Sequence, residues 1–413
     1  MTIAASIAQY AILPISIIAF LVLLTIIVFF HEYGHFFMAR LFGIRVEVFS
    51  IGFGKTLLRW VDRKGTEWRI ALVPLGGYVK FFGDANAASV PDESKTGKPA
   101  TTQFPRPDDG AAERGMTPEE KRVCFHFKPV GVRTAVVAAG PVANFLLAIA
   151  IFWVLLMAFG RLVTEAKIGA VDPNSAAAEA GIMPGDTVVA VNGRQIRDFD
   201  DLSLVAKLGA GERLVFTLDR GGETVSLPVT PRREEMTDAF GNKATTGRLG
   251  VRGDPNATRF VRYGPGEALG ESVRKVGQIL SGTMKYLGRL ILGKEDASQL
   301  GGPIKMAQYA GQSVMLGFDE SGYAEKPSFL TMLKVSLATF VELAAIVSVS
   351  IGFLNLLPVP LLDGGHLMYY AYEAVAGKPL GAKAQAIGFR VGIALLASLM
   401  LFVTWNDIAN MLS

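Results

Sequence analysis

HEYGH, residues 31–35, stands at the end of an apolar run that reaches from Ala11 to Phe30. On a helix the i, i+4 spacing carries His31 and His35 to one face, where two imidazoles can hold a zinc ion, and sets Glu32 alongside as candidate general base. The pentad is short, and its plainer reading is a pair of polar caps ending a hydrophobic helix without metal. Ionisable side chains at membrane depth are costly, which favours a functional reading.

Half of the 413 residues are apolar. The chain is too long for one soluble core and too polar to be wholly embedded, so a helical bundle joined to a water-soluble part is expected. Four stretches reach the roughly 20 residues that a bilayer requires: 11–36, 134–160, 330–357 and 387–405. The first carries no Lys or Arg ahead of its apolar run, and HEYGH replaces a small-residue cleavage site, so it reads as a retained helix and not as a signal peptide.

Basic residues orient the spans. Residues 1–30 have none, the segment from Arg40 to Arg133 has sixteen, and the link between the last two spans has Lys378 and Lys383. Positive loops face the cytoplasm, which puts both ends outside it, residues 39–133 and 361–386 inside, and the connection from Arg161 to about Ser328 outside. The zinc motif then lies toward the cytoplasmic face. The formal charge of +4 is modest and its Lys and Arg are not gathered with aromatics, so no nucleic-acid partner is expected. The single cysteine, Cys124, excludes an internal disulfide and a thiolate cluster.

A catalytic zinc needs a third protein ligand and an open position. Asp363 offers itself in NLLPVPLLDGGH, residues 355–366, where two prolines stop the third apolar helix and Gly364 and Gly365 are expected to let the chain turn sharply. His366 is a competing ligand, and His126, in a polar loop, reads as a solvated side chain. Asn355 has two readings, a hydrogen-bond donor to a substrate backbone or oxyanion and an interhelical tie. Asn144, in GPVAN, is expected to pack the second span through Gly140 and its small neighbours. Glu342 lies roughly 20 Å from Asn355 along a helix, too far to share its work.

HExxH in the first span together with the N-x-x-P-x-P-x-L-D-G-G segment resembles the site-2 protease family of intramembrane zinc metalloproteases, in its bacterial RseP type. FSIGFGK at 49–55, IALVPLGGYVK at 70–80, AAGPVANF at 138–145 and GGPIKMA at 301–307 extend the resemblance from about residue 31 to 366. It implies His31, His35 and Asp363 as ligands of Zn2+, Glu32 as catalytic base and Asn355 as a substrate-binding residue. It also implies an enzyme of the bacterial inner membrane that cuts spans of single-span proteins, such as a pre-cleaved anti-sigma factor or signal-peptide remnants. Other readings of the same ligands are a non-proteolytic membrane metal-binding protein or transporter, and a scaffold working through its soluble module.

Around this site, residues 46–54 alternate like a strand, and Leu57–Val61 and Glu67–Val73 flank the turn signal Asp62-Arg63-Lys64-Gly65 as a hairpin. By resemblance this sheet re-enters the membrane and clamps an extended substrate; a hairpin packed under the bundle is the alternative. AGIMPGDTVVAVNG, residues 180–193, resembles a PDZ domain, and the external loop has room for one. Residues 267–292 form an amphipathic pattern that suits a membrane surface or a bundle face. Gly83–Gly115 reads as a mobile loop, followed by a capping box at Thr117–Glu120. The expected architecture is thus a membrane α-helical bundle of about four transmembrane helices, with a membrane-associated β-hairpin and an inserted α+β PDZ-like domain. Its divisions are 1–160, the first two helices with HExxH and the β segment; 163–258, the non-cytoplasmic PDZ-like domain; 259–328, surface helix and linker; and 329–413, the last two helices with LDGG.

Overall fold

A computed structural model describes residues 3–84, 116–237, 243–295, 301–319 and 327–412. Most of the loop expected at Gly83–Gly115 lies outside the described residues. Two compact units emerge, Met1–Ile151 with Gly301–Ser413, and Phe152–Leu300.

Among the described residues four helices are long and apolar enough to cross a membrane: Leu13–Leu41, Val130–Phe159, Phe329–Asn355 and Lys383–Ala409. The first belongs to α1 (Ile3–Leu41), which continues past His35 to Leu41. HEYGH is therefore helix interior, and the reading of its histidines as terminal caps falls. The strand β1 (Val46–Val61) and β2 (Glu67–Phe81) follow as an antiparallel hairpin. Arg40 ties its turn to α1 through Asp62 at 2.8 Å. Burial pushes the Asp62 carboxyl up, but the amides of Thr66 and Lys64, the Trp68 indole and Arg40 outweigh it and hold the group below its ordinary range.

The hairpin does not run straight. Val46 pairs with Phe81 and Ile51 with Gly77 at its base, and Leu58 pairs with Ile70 near its tip, yet Val48 also lies beside Glu67 and Ile51 beside Ile70. The ribbon folds over at Gly52 and Gly54, both with φ of +86°, a conformation that side chains with a Cβ resist. Phe53, Leu57, Leu58, Leu72, Val73 and Leu75 are exposed along the bend and tip. Its base is buried against α1, where Phe49 packs among Phe29, Phe36 and Trp68.

The capping box forms as expected at α2 (Pro118–Val123), with Thr117 and Glu120 each satisfying the other's amide. Beyond it His126 is not solvated. Its Nε2 stands 2.7 Å from Asp84 Oδ1, and the Asp84 carboxylate is fully buried and also accepts from the Phe81 amide. A buried carboxylate requires such partners, so the polar loop docks on the hairpin base.

The second span lies in α3 (Val130–Phe159), which leads into the unit Phe152–Leu300. There a sheet runs in the order β6 (Arg194–Gln195), β5 (Thr187–Val191), β7 (Leu214–Arg220), β8 (Glu223–Val229), preceded in the chain by β3 (Arg161–Thr164), β4 (Ile168–Val171) and the short α4 (Ala176–Glu179). Asn192-Gly193 joins β5 to β6 with positive φ at both positions, the tight turn that this dipeptide favours. Helix α5 (Phe199–Leu208) is capped by Asp198 and buries Leu202 against Phe216 and Leu218 of the sheet. Asp186 is buried on Arg220, whose guanidinium holds its carboxyl below the usual range against the opposing effect of burial.

Three paired ribbons complete the unit: β9 (Arg232–Thr237) with β10 (Lys243–Arg248), β11 (Val251–Gly253) with β4, and β12 (Thr258–Val261) with β3. Helix α6 (Pro265–Ile291) closes it, burying Ala268, Ser272 and Val276 and leaving Leu269, Val273 and Met284 exposed. Trp153 donates to the Pro265 carbonyl at 2.8 Å, fastening the start of α6 to α3.

In the first unit, α7 (Pro303–Met315) is an element that the hydropathy reading did not mark. Its amides at Ile304 and Lys305, with Gly302, donate to the buried Asp407 carboxylate. The third span, α8 (Phe329–Asn355), then gives way to α9 (Asp363–Ala376) and the last long helix, α10 (Ala382–Leu412).

The turn before Asp363 departs from expectation. Leu361, with φ of +105°, takes the unusual conformation, whereas Gly364 and Gly365 sit inside the first turn of α9. A Cβ at Gly364 would overlap the Leu357 carbonyl, and one at Gly365 would meet the Val359 oxygen at 2.5 Å, so these glycines permit close approach. Helix α10 seats the same loop through Gly392, where a Cβ would overlap the Pro360 oxygen. Gly392→Ala is expected to push the loop outward at a cost of about 1–3 kcal/mol, read as a lower melting temperature and weaker metal binding. Unchanged values of both would show that the contact gives way freely.

Candidate metal centre

One turn of α1 presents His31 and His35 with ring centroids 4.9 Å apart, both nearly buried. Asp363, at the first position of α9, brings Oδ2 to 3.2 Å from His31 Nε2 and 3.5 Å from His35 Nε2. The two Nε2 atoms are 3.3 Å apart. A tetrahedral ion with bonds of about 2.0–2.1 Å sets its ligands about 3.3 Å apart, so the triangle has the dimensions of one face of a zinc site. Asp363 Oδ2 is also buried without a hydrogen-bond donor, a condition that a cation would relieve. Among the described residues no other group of three His, Cys, Asp or Glu meets this test.

Small residues allow the triangle to close. Gly34, inside HEYGH, lets α1 approach α3, since a Cβ there would lie 2.7 Å from the Ala143 Cβ. Gly140 faces the histidines from the other side, and its missing Cβ would overlap the His35 ring. The ring is oriented from the same helix: His35 Nδ1 stands 2.9 Å from the Val136 carbonyl, which accepts its proton and leaves Nε2 for the ion.

Glu32 extends beside the pair without joining the triangle, and the Val79 amide on the hairpin donates to it. Gly77 is packed against the same side chain, since a Cβ there would lie 3.0 Å from Glu32 Cγ. Asn355 Nδ2 comes to 3.5 Å from His31 Nε2, placing its amide at the rim of the site. His366, the rival ligand, lies one turn beyond Asp363, outside the triangle and among Tyr369 and Tyr370. Burial holds its imidazole below the ordinary range.

Two features escaped the sequence reading. Asn144 is fully buried and its Nδ2 stands 3.3 Å from His31 Nδ1, a contact that the expected helix packing did not include. Arg133, at the start of α3, pairs with Glu373 of α9 at 2.6 Å and lies over the Tyr370 ring. This pair braces the helix that carries Asp363 against the one that orients His35. The GPVAN motif was the only signal for the first, and no local pattern announces the second.

The model of Peptidase family M50 matches residues 19–399. The chain belongs to peptidase family M50. With four apolar helices of spanning length among its described residues, this member is a multi-pass membrane protein. It is 42% identical over 398 residues to a candidate zinc metalloprotease of Agrobacterium fabrum, with 96% of each chain covered. A candidate zinc metalloprotease of Rhizobium meliloti is also 42% identical over 398 residues, covering 96% of this chain and 97% of the relative. The metalloprotease MmpA of Caulobacter vibrioides is 41% identical over 394 residues, with 95% of each chain covered.

Proposed function

We propose that this M50 member is an intramembrane zinc endopeptidase that cuts membrane-spanning segments of single-span proteins. The observation that carries the reading is the triangle of His31, His35 and Asp363 at tetrahedral spacing, with both histidines on a helix apolar enough to cross a membrane. When bound, zinc lowers the pKa of a coordinated water to about 7 and polarises the scissile carbonyl.

The remaining work falls to the chain. Glu32, steadied by the Val79 amide, takes the proton of the attacking water and returns it to the leaving nitrogen. Asn355 Nδ2, beside His31, donates to the carbonyl oxygen as charge develops there. A substrate helix must exchange its internal hydrogen bonds for external ones before it can be cut. The folded-over hairpin supplies a backbone edge for that exchange, and its exposed apolar bend suits contact with lipid.

In this reading residues 163–258 are a PDZ-like module on the periplasmic side of a bacterial inner membrane, with the metal toward the cytoplasm. The Asn192-Gly193 hairpin and the capped α5 over its small sheet support the module, and the sixteen basic residues from Arg40 to Arg133 support the orientation. Substrates already trimmed by another protease, including anti-sigma factors and signal-peptide remnants, are the single-span proteins that the family resemblance suggests for this reading.

The test is cleavage of a single-span substrate by the purified chain in liposomes. Chelation is expected to lower the rate about 100-fold or more, with equimolar zinc restoring it. Chelation without effect would sink the metal reading, and cuts confined to water-exposed segments would sink the intramembrane one.

A further inference from the structure

We propose that Asn144 is a positioning residue for His31, its side-chain oxygen accepting the Nδ1 proton and so directing Nε2 at the metal. The inference rests on the zinc reading above. The three ligand atoms meet at Nε2 of both histidines and Oδ2 of Asp363. An imidazole that binds an ion through Nε2 carries its proton on Nδ1, and that proton needs an acceptor in a buried site. For His35 the acceptor is the Val136 carbonyl. For His31 the group within reach of Nδ1 is the Asn144 amide, at 3.3 Å.

The side-chain orientation sharpens the point. As placed, Asn144 Nδ2 faces Nδ1, while its Oδ1 is buried without a hydrogen-bond partner. That arrangement would require an unprotonated Nδ1 and move the proton to Nε2, into the space between Asp363 and His35 where the ion belongs. The two ends of an amide have nearly the same shape, so a half-turn about its last bond presents Oδ1 to Nδ1–H without moving the helix.

The backbone supports this role. Val136, Gly140 and Asn144 recur every four residues and form one face of α3, so a single helix face orients His35, makes room for both rings and orients His31. Ser348 of α8 donates to the Asn144 carbonyl at 2.9 Å, and a Cβ at Gly352 would lie 3.1 Å from Asn144 Cβ, so the residue is wedged in place. Interhelical asparagines elsewhere act as simple ties, which is the competing account.

Asn144→Leu keeps the size and deletes the acceptor, whereas Asn144→Asp keeps an acceptor at the same place. Zinc affinity by chelator competition and the visible spectrum of the cobalt-substituted protein are the readouts, with melting temperature as the check on folding. The Leu variant is expected to bind zinc about 10–100-fold more weakly and to alter the cobalt spectrum, and the Asp variant to stay within about threefold of wild type or bind more tightly. If the Leu chain does not fold, Asn144→Ala is read in its place. Wild-type affinity in the acceptor-free variant, or equal losses in both, would reduce Asn144 to packing. Failure of the wild type to bind zinc at all would instead remove the reading beneath it.

Discussion

Glu32→Gln is expected to cut the rate of substrate cleavage by about 10²–10⁴-fold while zinc stays bound at wild-type stoichiometry. The substitution is nearly isosteric, and its remaining carbonyl oxygen can still accept the Val79 amide that steadies Glu32. What it removes is the capacity to take a proton. Because Glu32 stands outside the triangle of His31, His35 and Asp363, the ligand set is untouched. Membrane metal transport and scaffolding require no base beside the histidines, so the variant separates those readings from proteolysis. Metal content by mass spectrometry and cleavage in liposomes, measured on the same preparation, are the check. Cleavage at the wild-type rate would take Glu32 out of the mechanism, and loss of metal together with activity would make it a structural support of the site.

The metal triangle was legible because ligand chemistry restricts which residue types can serve, and because a bilayer leaves few places for them. HEYGH on an apolar run offered His31 and His35, the segment after a proline-broken span offered Asp363 with His366 as rival, and the family resemblance implied the set that runs from His31 to Asp363, 332 residues apart. The four spans were legible for a related reason: an unbroken apolar helix is the simplest way to satisfy every backbone group in lipid. Pairings that arise only in three dimensions were not. The hairpin's fold-over depends on Val48 finding Glu67 as well as Lys80, a register that alternation does not encode. His126 looked solvated because its partner, Asp84, is 42 residues away. Gly364 and Gly365 were recognised as necessary but for the wrong reason, since composition cannot tell a turn from a close approach. The same blindness hid the place of Asn144 beside His31, since its local surroundings resemble any small-residue helix crossing.

Gly140→Ala is expected to weaken zinc binding by about 10–100-fold or more and to abolish most cleavage, through a single methyl group. A Cβ at this position would overlap His35 Nε2 and lie 2.5 Å from His35 Cε1 and 2.8 Å from His31 Cε1. The rings cannot simply swing away, because His35 is tied to the Val136 carbonyl and Asn144 stands against His31. Nor can α1 easily retreat, since Gly34 is packed tightly on Ala139 and Ala143 of the same helix. Overpacking of about 1–3 kcal/mol must therefore be relieved by opening the ligand triangle, the part of the contact with the least covalent restraint. Gly131→Ala is the matched control: it lies on the same helix, its Cβ would meet no atom within 4 Å, and alanine favours the helix. Chelator competition on the two variants tests the argument directly. Full affinity in Gly140→Ala would mean that the histidine rings have room to shift together with the ion, and the close seating of α3 against the site would then play no part in holding it.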